Sequence, residues 1–386
     1  MRKRTAIVIA TAAVGAFGVL GAQSAVADTI GVTNTNDSGA GSLRAAINRT
    51  NQLAGPDRIL IDATGTIPLQ SGLPTVTGTP LEIRGPGPSS LSLDASALTQ
   101  QRDTVLDVDP ANQCIPSSRC HVSLRGVSIH HAYVAAIRNN GVLDLIDSRV
   151  SDTTYYGVVN GRRLRVIDSR VSHNRYGIAG TSAENHIEVL RSTLRGNSTG
   201  IVDGGTLNVS ASTLIGSRRY GIRNDYGQAV IRRSTLGGSR ITNDFGGYVW
   251  VDQSTLSGER DQPLISTYDG STSLKSTIVA NRGGAACSGP TPTISQGFNL
   301  ADDGSCNLTE QSDQPNTDPL LRPLGNYGGP TKTFALPKTS PAIDAGSAFG
   351  STTDQRGLPR MVDYPGVPTP PGGDDSDIGA FELQAP

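Results

Sequence analysis

The sequence predicts an all-β fold, a parallel β-helix whose coils each take about 20–23 residues. Three observations predict it: a short motif recurs at nearly constant spacing, the stretches between its copies are short and rich in β-branched residues, and each copy reaches a turn of Asn, Asp and Gly. A unit this small cannot bury its own apolar face, so it must stack on its neighbours. The blade of a β-propeller needs about 40–50 residues, roughly twice this period.

The repeated motif is a serine followed two residues later by an aliphatic residue. The serines lie 20 to 23 residues apart and are Ser148, Ser169, Ser192, Ser212, Ser234, Ser254 and Ser276. Side chains alternate along a strand, so the serine and the aliphatic residue face the interior. This pattern predicts an inner ladder of hydroxyls that bond from coil to coil, and it predicts that the threonines after five of the serines point outward.

The composition agrees with a fold that has many tight corners, and it excludes several other folds. Glycine accounts for 46 of 386 residues, about 12% against a usual ~7%. Corner turns such as Asn139-Asn140-Gly141 and Asp203-Gly204-Gly205 use residues that tolerate left-handed backbone angles. The lack of a Gly-X-Y period excludes collagen, and the low content of charged residues argues against a coiled coil or helical bundle.

Residues 1–27 have the pattern of a secretory signal. Arg2, Lys3 and Arg4 precede an apolar run, and Ala25-Val26-Ala27 forms a small-residue cleavage site. No later run is apolar over about 18 residues, so no transmembrane segment is predicted in the mature chain. We therefore expect a secreted protein that is extracellular or loosely associated with the cell surface.

Charge gives no indication of a nucleic-acid partner. The full chain has 33 basic and 34 acidic residues, and removing the three basic residues of the signal leaves a net charge of −4. A mildly acidic surface does not attract a polyanionic backbone. No nucleic acid is therefore expected among the partners.

The mature chain divides into three parts. Residues 28–112 are expected to form an N-terminal cap and the first coils, with Ser42 capping a short helix that buries Leu43, Ala46 and Ile47. Residues 113–283 carry the regular coils. Residues 284–386 lose the repeat and become rich in Pro, Gly and Asp.

Four cysteines in an exported chain favour disulfides over thiols. The local pairs Cys114 with Cys120 and Cys287 with Cys306 are the simplest arrangement, although four cysteines allow three connectivities. Metal-binding spacing is lacking, so neither a metal nor a cofactor is predicted. Adjacent His130 and His131 are expected to point to opposite sides of a strand, and His173 and His186 to lie at turns.

Two segments resemble a known family. Asn36-Asp37-Ser38-Gly39 and the following Gly41–Ile47 resemble the N-terminal segment of secreted bacterial β-helix proteins, which in one large group reads Cys-Ser-Leu-Arg-Glu-Ala; here Gly41 and Ala45 replace its Cys and Glu. The tail resembles the choice-of-anchor Q domain in five motifs: Asp318–Leu321, Leu324–Thr331, Ser340–Gly346, Asp354–Gly357 and Asp377–Glu382. The resemblance implies a right-handed parallel β-helix, export and often display at the cell surface. It implies no reaction and no catalytic residue.

The strongest catalytic candidates are two outward carboxylates on adjacent coils. Asp147 and Asp168 are flanked by Arg149 and Arg170, an arrangement that a polysaccharide lyase or glycoside hydrolase would use for acid–base work. The same residues also fit an outer salt-bridge ladder, and the nearly uniform coils leave no inserted loop to wall a cleft. The sequence therefore favours the ladder over catalysis.

A strip of aromatic and basic residues is the best candidate for binding a glycan. Aromatic rings pack on sugar faces, and guanidinium groups pair with acidic substituents. The residues are Tyr155, Tyr156, Tyr176, Tyr220, Arg175 and Arg219, with Arg162 and Arg218 beside them. The sequence predicts a non-catalytic scaffold for an extracellular polysaccharide or cell-envelope component. A carbohydrate-active enzyme and a structural spacer without ligand are the alternatives.

Overall fold

The computed structural model describes residues 28–385 apart from 54, 79, 99–103, 111–120 and 260. The chain winds into a right-handed parallel β-helix, as the sequence predicts. The signal segment and the pair Cys114 and Cys120 lie outside the described residues. Within them, no helix is long and apolar enough to span a membrane.

Three parallel sheets of 12, 11 and 9 strands run along the helix axis. The first sheet consists of Asp28–Val32, Asp57–Ile61, Leu81–Arg84, His121–Arg125, Val142–Ile146, Arg163–Ile167, His186–Leu190, Thr206–Ser210, Gln228–Arg232, Gly247–Asp252, Gly270–Lys275 and Ile294–Ser295. The second consists of Gly65–Pro68, Leu91–Asp94, Ser128–His130, Arg149–Ser151, Arg170–Ser172, Thr193–Arg195, Thr213–Ile215, Thr235–Gly237, Thr255–Gly258, Ile278–Asn281 and Leu300–Ala301. The third consists of Thr104–Val108, Ala135–Asn139, Tyr156–Asn160, Tyr176–Gly180, Thr199–Asp203, Tyr220–Asp225, Ile241–Asp244, Ile265–Thr267 and Cys287–Ser288.

Stacked aliphatic side chains fill the interior of the coils. Leu143, Leu164, Ile187 and Leu207, for example, pair in register on consecutive coils, and all four are fully buried. Fully burying one such side chain stabilises the folded state by about 1.5–3 kcal/mol. One continuous core therefore runs along the rod, and it forms because similar coils stack on one another.

The predicted serine column is buried, but its hydroxyls bond to the backbone and not to one another. The Ser148 N–H donates to Ser169 Oγ at 3.0 Å, and Ser169 Oγ donates to the Ile167 carbonyl at 2.7 Å. Each serine thus satisfies an amide of the previous coil and a carbonyl of its own coil. The prediction of a hydroxyl-to-hydroxyl ladder is wrong because these backbone groups are buried and need partners themselves.

At the last predicted serine the buried column contains Thr277 and not Ser276, so the prediction that Thr277 points outward is wrong. The Ser254 N–H faces Thr277 Oγ1 at 3.4 Å, whereas Ser276 takes the left-handed corner with φ 46°. Both residues carry a β-hydroxyl, so the sequence motif can be aligned on Ser276 or on Thr277. The pairing of Leu256 with Val279 shows that Thr277 is the residue in the serine position.

The N-terminal cap follows the sequence prediction. The helix α1 spans Leu43–Thr50, and the Ser42 side chain accepts a hydrogen bond from the Ala45 N–H at 3.2 Å. Leu43, Ala46 and Ile47 are buried on one face of the helix. Its apolar face therefore contributes to the same core as the coils.

The stack of coils continues beyond residue 283, where the sequence repeat ends. Its last strands run to Leu300–Ala301, and a disulfide joins Cys287 to Cys306 with a Cα–Cα distance of 4.8 Å. This disulfide confirms one of the two predicted pairs. The later chain lies against the second sheet, with a separate core that includes Ile278, Ala280, Leu300, Ala335, Leu336, Ala342, Ile343, Ala345, Ile378 and Phe381.

The C-terminal region covers the threonine column on the second sheet. Thr213, Thr235 and Thr255 are at most 1% exposed. Thr213 Oγ1 donates to the Lys332 carbonyl at 2.5 Å, and Thr255 Oγ1 accepts from the Ala380 N–H at 3.0 Å. These threonines point out of the coil, as predicted, but they meet protein instead of solvent. Over these coils the outer face of the second sheet is closed to a ligand.

The polar residues of the tail motifs form a buried network. Arg356 pairs with Asp354 at 2.7 Å, lies 3.8 Å above the ring of Phe381 and donates to the Glu382 carbonyl. Burial raises the pKa values of Asp377 and Glu382. These residues connect separate motifs of the C-terminal region, so the motifs have a structural role.

Candidate functional site

Three tyrosines and one threonine form a column along the starting edge of the third sheet. Tyr156, Tyr176, Thr199 and Tyr220 pair in register on consecutive coils. The rings of Tyr156 and Tyr176 stack with centroids 5.1 Å apart and planes inclined by 19°. We call the tyrosine–arginine strip the set Tyr133, Tyr155, Tyr156, Tyr176, Tyr220, Arg175, Arg218, Arg219 and Arg240.

A glycine follows each of the four residues in register, Tyr156, Tyr176, Thr199 and Tyr220, and allows the coils to approach closely. A Cβ atom at Gly157 would lie 2.6 Å from the Gly177 carbonyl oxygen, and one at Gly177 would lie 2.5 Å from that of Gly200. Side chains at these positions would push the coils apart. The Tyr-Gly mark in the sequence thus reflects a packing requirement that also brings the tyrosine rings into stacking distance.

Arginines accompany the rings along the strip. The Arg175 guanidinium lies 5.4 Å from the Tyr155 centroid and 5.7 Å from that of Tyr176. Further along, Arg240 lies 4.5 Å above the ring of Tyr220. Cation–π contacts of this kind hold the long arginine side chains over the rings.

The strip ends in a concave pocket of about 270 Å³. Its lining comprises Arg218, Arg219, Tyr220, Gly238, Arg240, Gln262 and Leu264. Arg240 donates from Nη1 to Gln262 Oε1 at 3.0 Å, but its buried Nε has no hydrogen-bond partner among the described residues. The pocket therefore presents a cluster of guanidinium groups.

Sequence reasoning located most of the strip but missed two members. Tyr133 packs edge-on against Tyr155 at 5.8 Å, and Arg240 covers Tyr220. Both lie on coils that lack the Tyr-Gly mark. Ala135-Ala136 replaces it on the coil of Tyr133, and Ser239-Arg240 replaces it on the later coil. Placing each coil in the 21-residue alignment, with or without the mark, is the signal that would have found them.

The carboxylates considered for catalysis lie at consecutive corners. Asp147 and Asp168 have left-handed φ values of 43° and 50°. Asp168 is held by Arg191 of the next coil, with both oxygens 2.8 Å from guanidinium nitrogens. Arg149 and Arg170 are exposed and in register with each other on the second sheet. The structure thus pairs Asp168 with Arg191, the residue at the same motif position of the next coil.

The prediction for the adjacent histidines is wrong. Nδ1 of His130 and Nδ1 of His131 lie 2.9 Å apart, because His131 adopts φ 61° and turns its side chain back toward its neighbour. The opposite-side rule holds only for extended backbone. His173 lies at a corner as expected, whereas His186 begins the strand His186–Leu190 and not a turn.

Comparison with solved structures establishes the fold. The chain superimposes on pectate lyase Pel9A with a TM-score of 0.59 at 14% identity, covering 93% of this chain and 98% of that one. Lower similarities include PfbA, a surface adhesin of Streptococcus pneumoniae (TM-score 0.38, 10% identity, 76% and 95% covered). Another is the A-module of the Azotobacter vinelandii mannuronan C-5 epimerase AlgE4 (TM-score 0.31, 12% identity, 73% and 85% covered).

No protein-family model matches the sequence, and no curated protein matches it either. The resemblance of the tail to the choice-of-anchor Q domain therefore stays a prediction. The class that the structure defines is the right-handed parallel β-helix.

Proposed function

We propose that the protein is a secreted, non-catalytic β-helix that binds an acidic extracellular polysaccharide along the tyrosine–arginine strip. The observation that carries the proposal is a group of tyrosines, of which Tyr156 and Tyr176 stack, beside arginines that have no carboxylate partner among the described residues. Among the described residues, Arg175, Arg218, Arg219 and Arg240 form no ion pair, whereas Arg191 pairs with Asp168.

The chemistry of the strip suits a chain of acidic sugars. Tyrosine rings offer flat apolar faces for pyranose rings, and their hydroxyl groups stay available for hydrogen bonds. Guanidinium groups match the geometry of a uronate carboxylate with two parallel donors. Consecutive coils lie about 4.8 Å apart, close to the length of one pyranose unit. A polysaccharide parallel to the axis would therefore meet Tyr156 and Tyr176 on adjacent coils and, beyond the coil of Thr199, Tyr220.

Other features support export and a role as a scaffold. The signal-like segment and the Cys287–Cys306 disulfide suit an oxidising compartment. The carboxylate of Asp168 is engaged by Arg191 and is poorly placed to act as a free base. The tail motifs, which resemble the choice-of-anchor Q domain, support association with the cell surface.

We expect the double variant Tyr156→Ala/Tyr176→Ala to bind polygalacturonate about tenfold to a hundredfold more weakly than the wild type. Each aromatic contact is worth about 0.5–1.5 kcal/mol, and 1.4 kcal/mol is a factor of ten. Affinity electrophoresis or calorimetry on the mature protein measures the change.

The matched control is Tyr226→Ala/Phe245→Ala. This pair also stacks, with centroids 4.9 Å apart and planes inclined by 17°, but it lies at corners beside Asp225 and Asp244. We expect the control to bind like the wild type. Loss of binding in the control alone would move the site to those corners, and equal binding by all three proteins would overturn the proposed strip.

A further inference from the structure

A cluster of two imidazoles and one carboxylate lies at the corner that follows the second sheet. Asp94 ends the strand Leu91–Asp94, and His130 ends the adjacent strand and pairs with Asp94 in register. His131 Nδ1 lies 3.0 Å from Asp94 Oδ1 and 2.9 Å from His130 Nδ1, and the third side of this triangle, from His130 Nδ1 to Asp94 Oδ1, measures 3.5 Å.

These distances fit three ligands of one small metal ion. Tetrahedral zinc with bonds of about 2.0–2.1 Å places its donor atoms about 3.3 Å apart, and the three observed sides lie on either side of that value. Two imidazole Nδ1 atoms at 2.9 Å cannot both present lone pairs to each other without a proton or a cation between them. The cluster thus has the shape and the electron pairs of a partial coordination shell.

The backbone at this corner is left-handed on successive coils, and Asp152 and His173 adopt φ values of 56° and 55° at the two positions that follow His131 in the stack. At the corner after the second sheet, later coils place Gly196, Gly216 and Gly238 in the left-handed region, with φ of 64°, 65° and 57°. His131 occupies the equivalent position with φ 61°, where an L-residue costs about 1–2 kcal/mol. Only this conformation turns the His131 ring toward His130 and Asp94.

The cluster is open to solvent on one side. His131 is half exposed, so the fourth position of a bound ion opens to solvent.

We propose that Asp94, His130 and His131 bind one divalent transition-metal ion. Two imidazoles and one carboxylate favour zinc, cobalt, nickel or copper, whereas calcium and magnesium require more oxygen ligands. The ion would join two consecutive coils near the N-terminal end of the rod. This proposal is independent of the polysaccharide site.

The test uses the tag-free mature protein, with Zn²⁺ in calorimetry and Co²⁺ in visible spectroscopy. We expect a single ion per chain, a tetrahedral cobalt spectrum, and no comparable binding of Ca²⁺. His131→Gly keeps the residue type that later coils use at this corner, so it should fold, and it should bind Zn²⁺ more than about 100-fold more weakly, beyond the effect of losing an outer-shell partner.

The matched control is His173→Gly, which removes an imidazole from the same corner position two coils further on, with φ 55°. It should bind Zn²⁺ like the wild type. Absence of stoichiometric Zn²⁺ binding by the wild type would overturn the proposal, and so would equal affinity of His131→Gly and the wild type.

Discussion

Replacing Gln355 by alanine is expected to lower the free energy of unfolding by about 3–5 kcal/mol and to release the C-terminal region from the second sheet. Gln355 is 1% exposed and lies at the centre of the contact between that region and the coils. Its Nε2 lies within hydrogen-bond distance of Thr213 Oγ1 (3.1 Å) and Thr331 Oγ1 (3.0 Å), and its Oε1 accepts from Thr235 Oγ1 at 2.6 Å.

Truncation leaves several of these groups without a partner. Each buried polar group that loses its hydrogen bond costs about 1–3 kcal/mol, and the cavity adds to the loss. Chemical denaturation measures the stability, and limited proteolysis with trypsin reports the release, because Lys332 lies in the contact. Cleavage after Lys332 should become fast in the variant.

Gln384→Ala is the matched control. Gln384 belongs to the same region, but within the described part of the chain its amide donates to just two carbonyls near the surface, those of Pro359 and Glu382. We expect it to change the stability by less than about 0.5 kcal/mol. If Gln355→Ala were as stable and as resistant to trypsin as Gln384→Ala, the described contact with the threonine column would be incorrect.

Replacing Asp203 by asparagine is expected to stabilise the protein by about 2–3 kcal/mol at pH 8. Asp203 is fully buried at the end of a strand of the third sheet, and burial raises its pKa to about 6. It pairs in register with Asn224, whose Oδ1 has no hydrogen-bond partner among the described residues. On the next coils, Asn224 Nδ2 donates to Asn243 Oδ1 at 2.8 Å. An asparagine at position 203 can extend this ladder by donating to Asn224.

The pH dependence of this gain follows from the raised pKa. Below about pH 4 aspartic acid is protonated in both the folded and the unfolded chain, so its ionisation costs the folded state nothing. Between about pH 4 and pH 6 the unfolded chain releases the proton while the folded chain retains it, and the stability contributed by Asp203 falls. The advantage of Asp203→Asn should therefore grow across this interval and level off above it.

The converse variant Asn160→Asp tests the same physics with the opposite sign. Asn160 is fully buried in the same column, where its Oδ1 accepts from Asn139 Nδ2 at 2.7 Å and its own Nδ2 donates to the Arg162 carbonyl at 3.1 Å. Asn160→Asp loses that donor and buries a charge. It should be destabilised at pH 8 and recover as the pH falls. A difference between Asp203→Asn and the wild type that does not vary with pH would contradict a raised pKa at Asp203.

The repeat made the coils predictable, because stacking depends on local spacing. The serine column and the Tyr-Gly corners follow from contacts between residues about 21 positions apart, and the cap helix follows from its local N-cap and apolar spacing. The cover over Thr235 did not, because its partner Gln355 lies 120 positions away, and no period relates the two segments. The cluster of His130 and His131 was missed for another reason, since a left-handed histidine leaves no mark in the sequence.

The candidate strip was predicted in outline, because its tyrosines repeat with the coils. Its electrostatics required the structure. Arg175 and Arg240 are candidates for binding because they cover tyrosine rings and form no ion pair among the described residues. The spacing of the repeat predicts neither the ring contacts nor the lack of ion pairs.

The central claim, binding of an acidic polysaccharide without its cleavage, is tested most directly by following both events in one incubation. The mature protein is mixed with polygalacturonate or alginate, retention is measured by affinity electrophoresis, and cleavage by the absorbance of unsaturated ends and by reducing sugar. We predict retention that weakens with salt, because arginine contacts are screened, and no new chain ends over hours. Cleavage that Asp147→Asn or Asp168→Asn abolishes would contradict the account and establish an enzyme, and the absence of both retention and cleavage would leave a structural spacer.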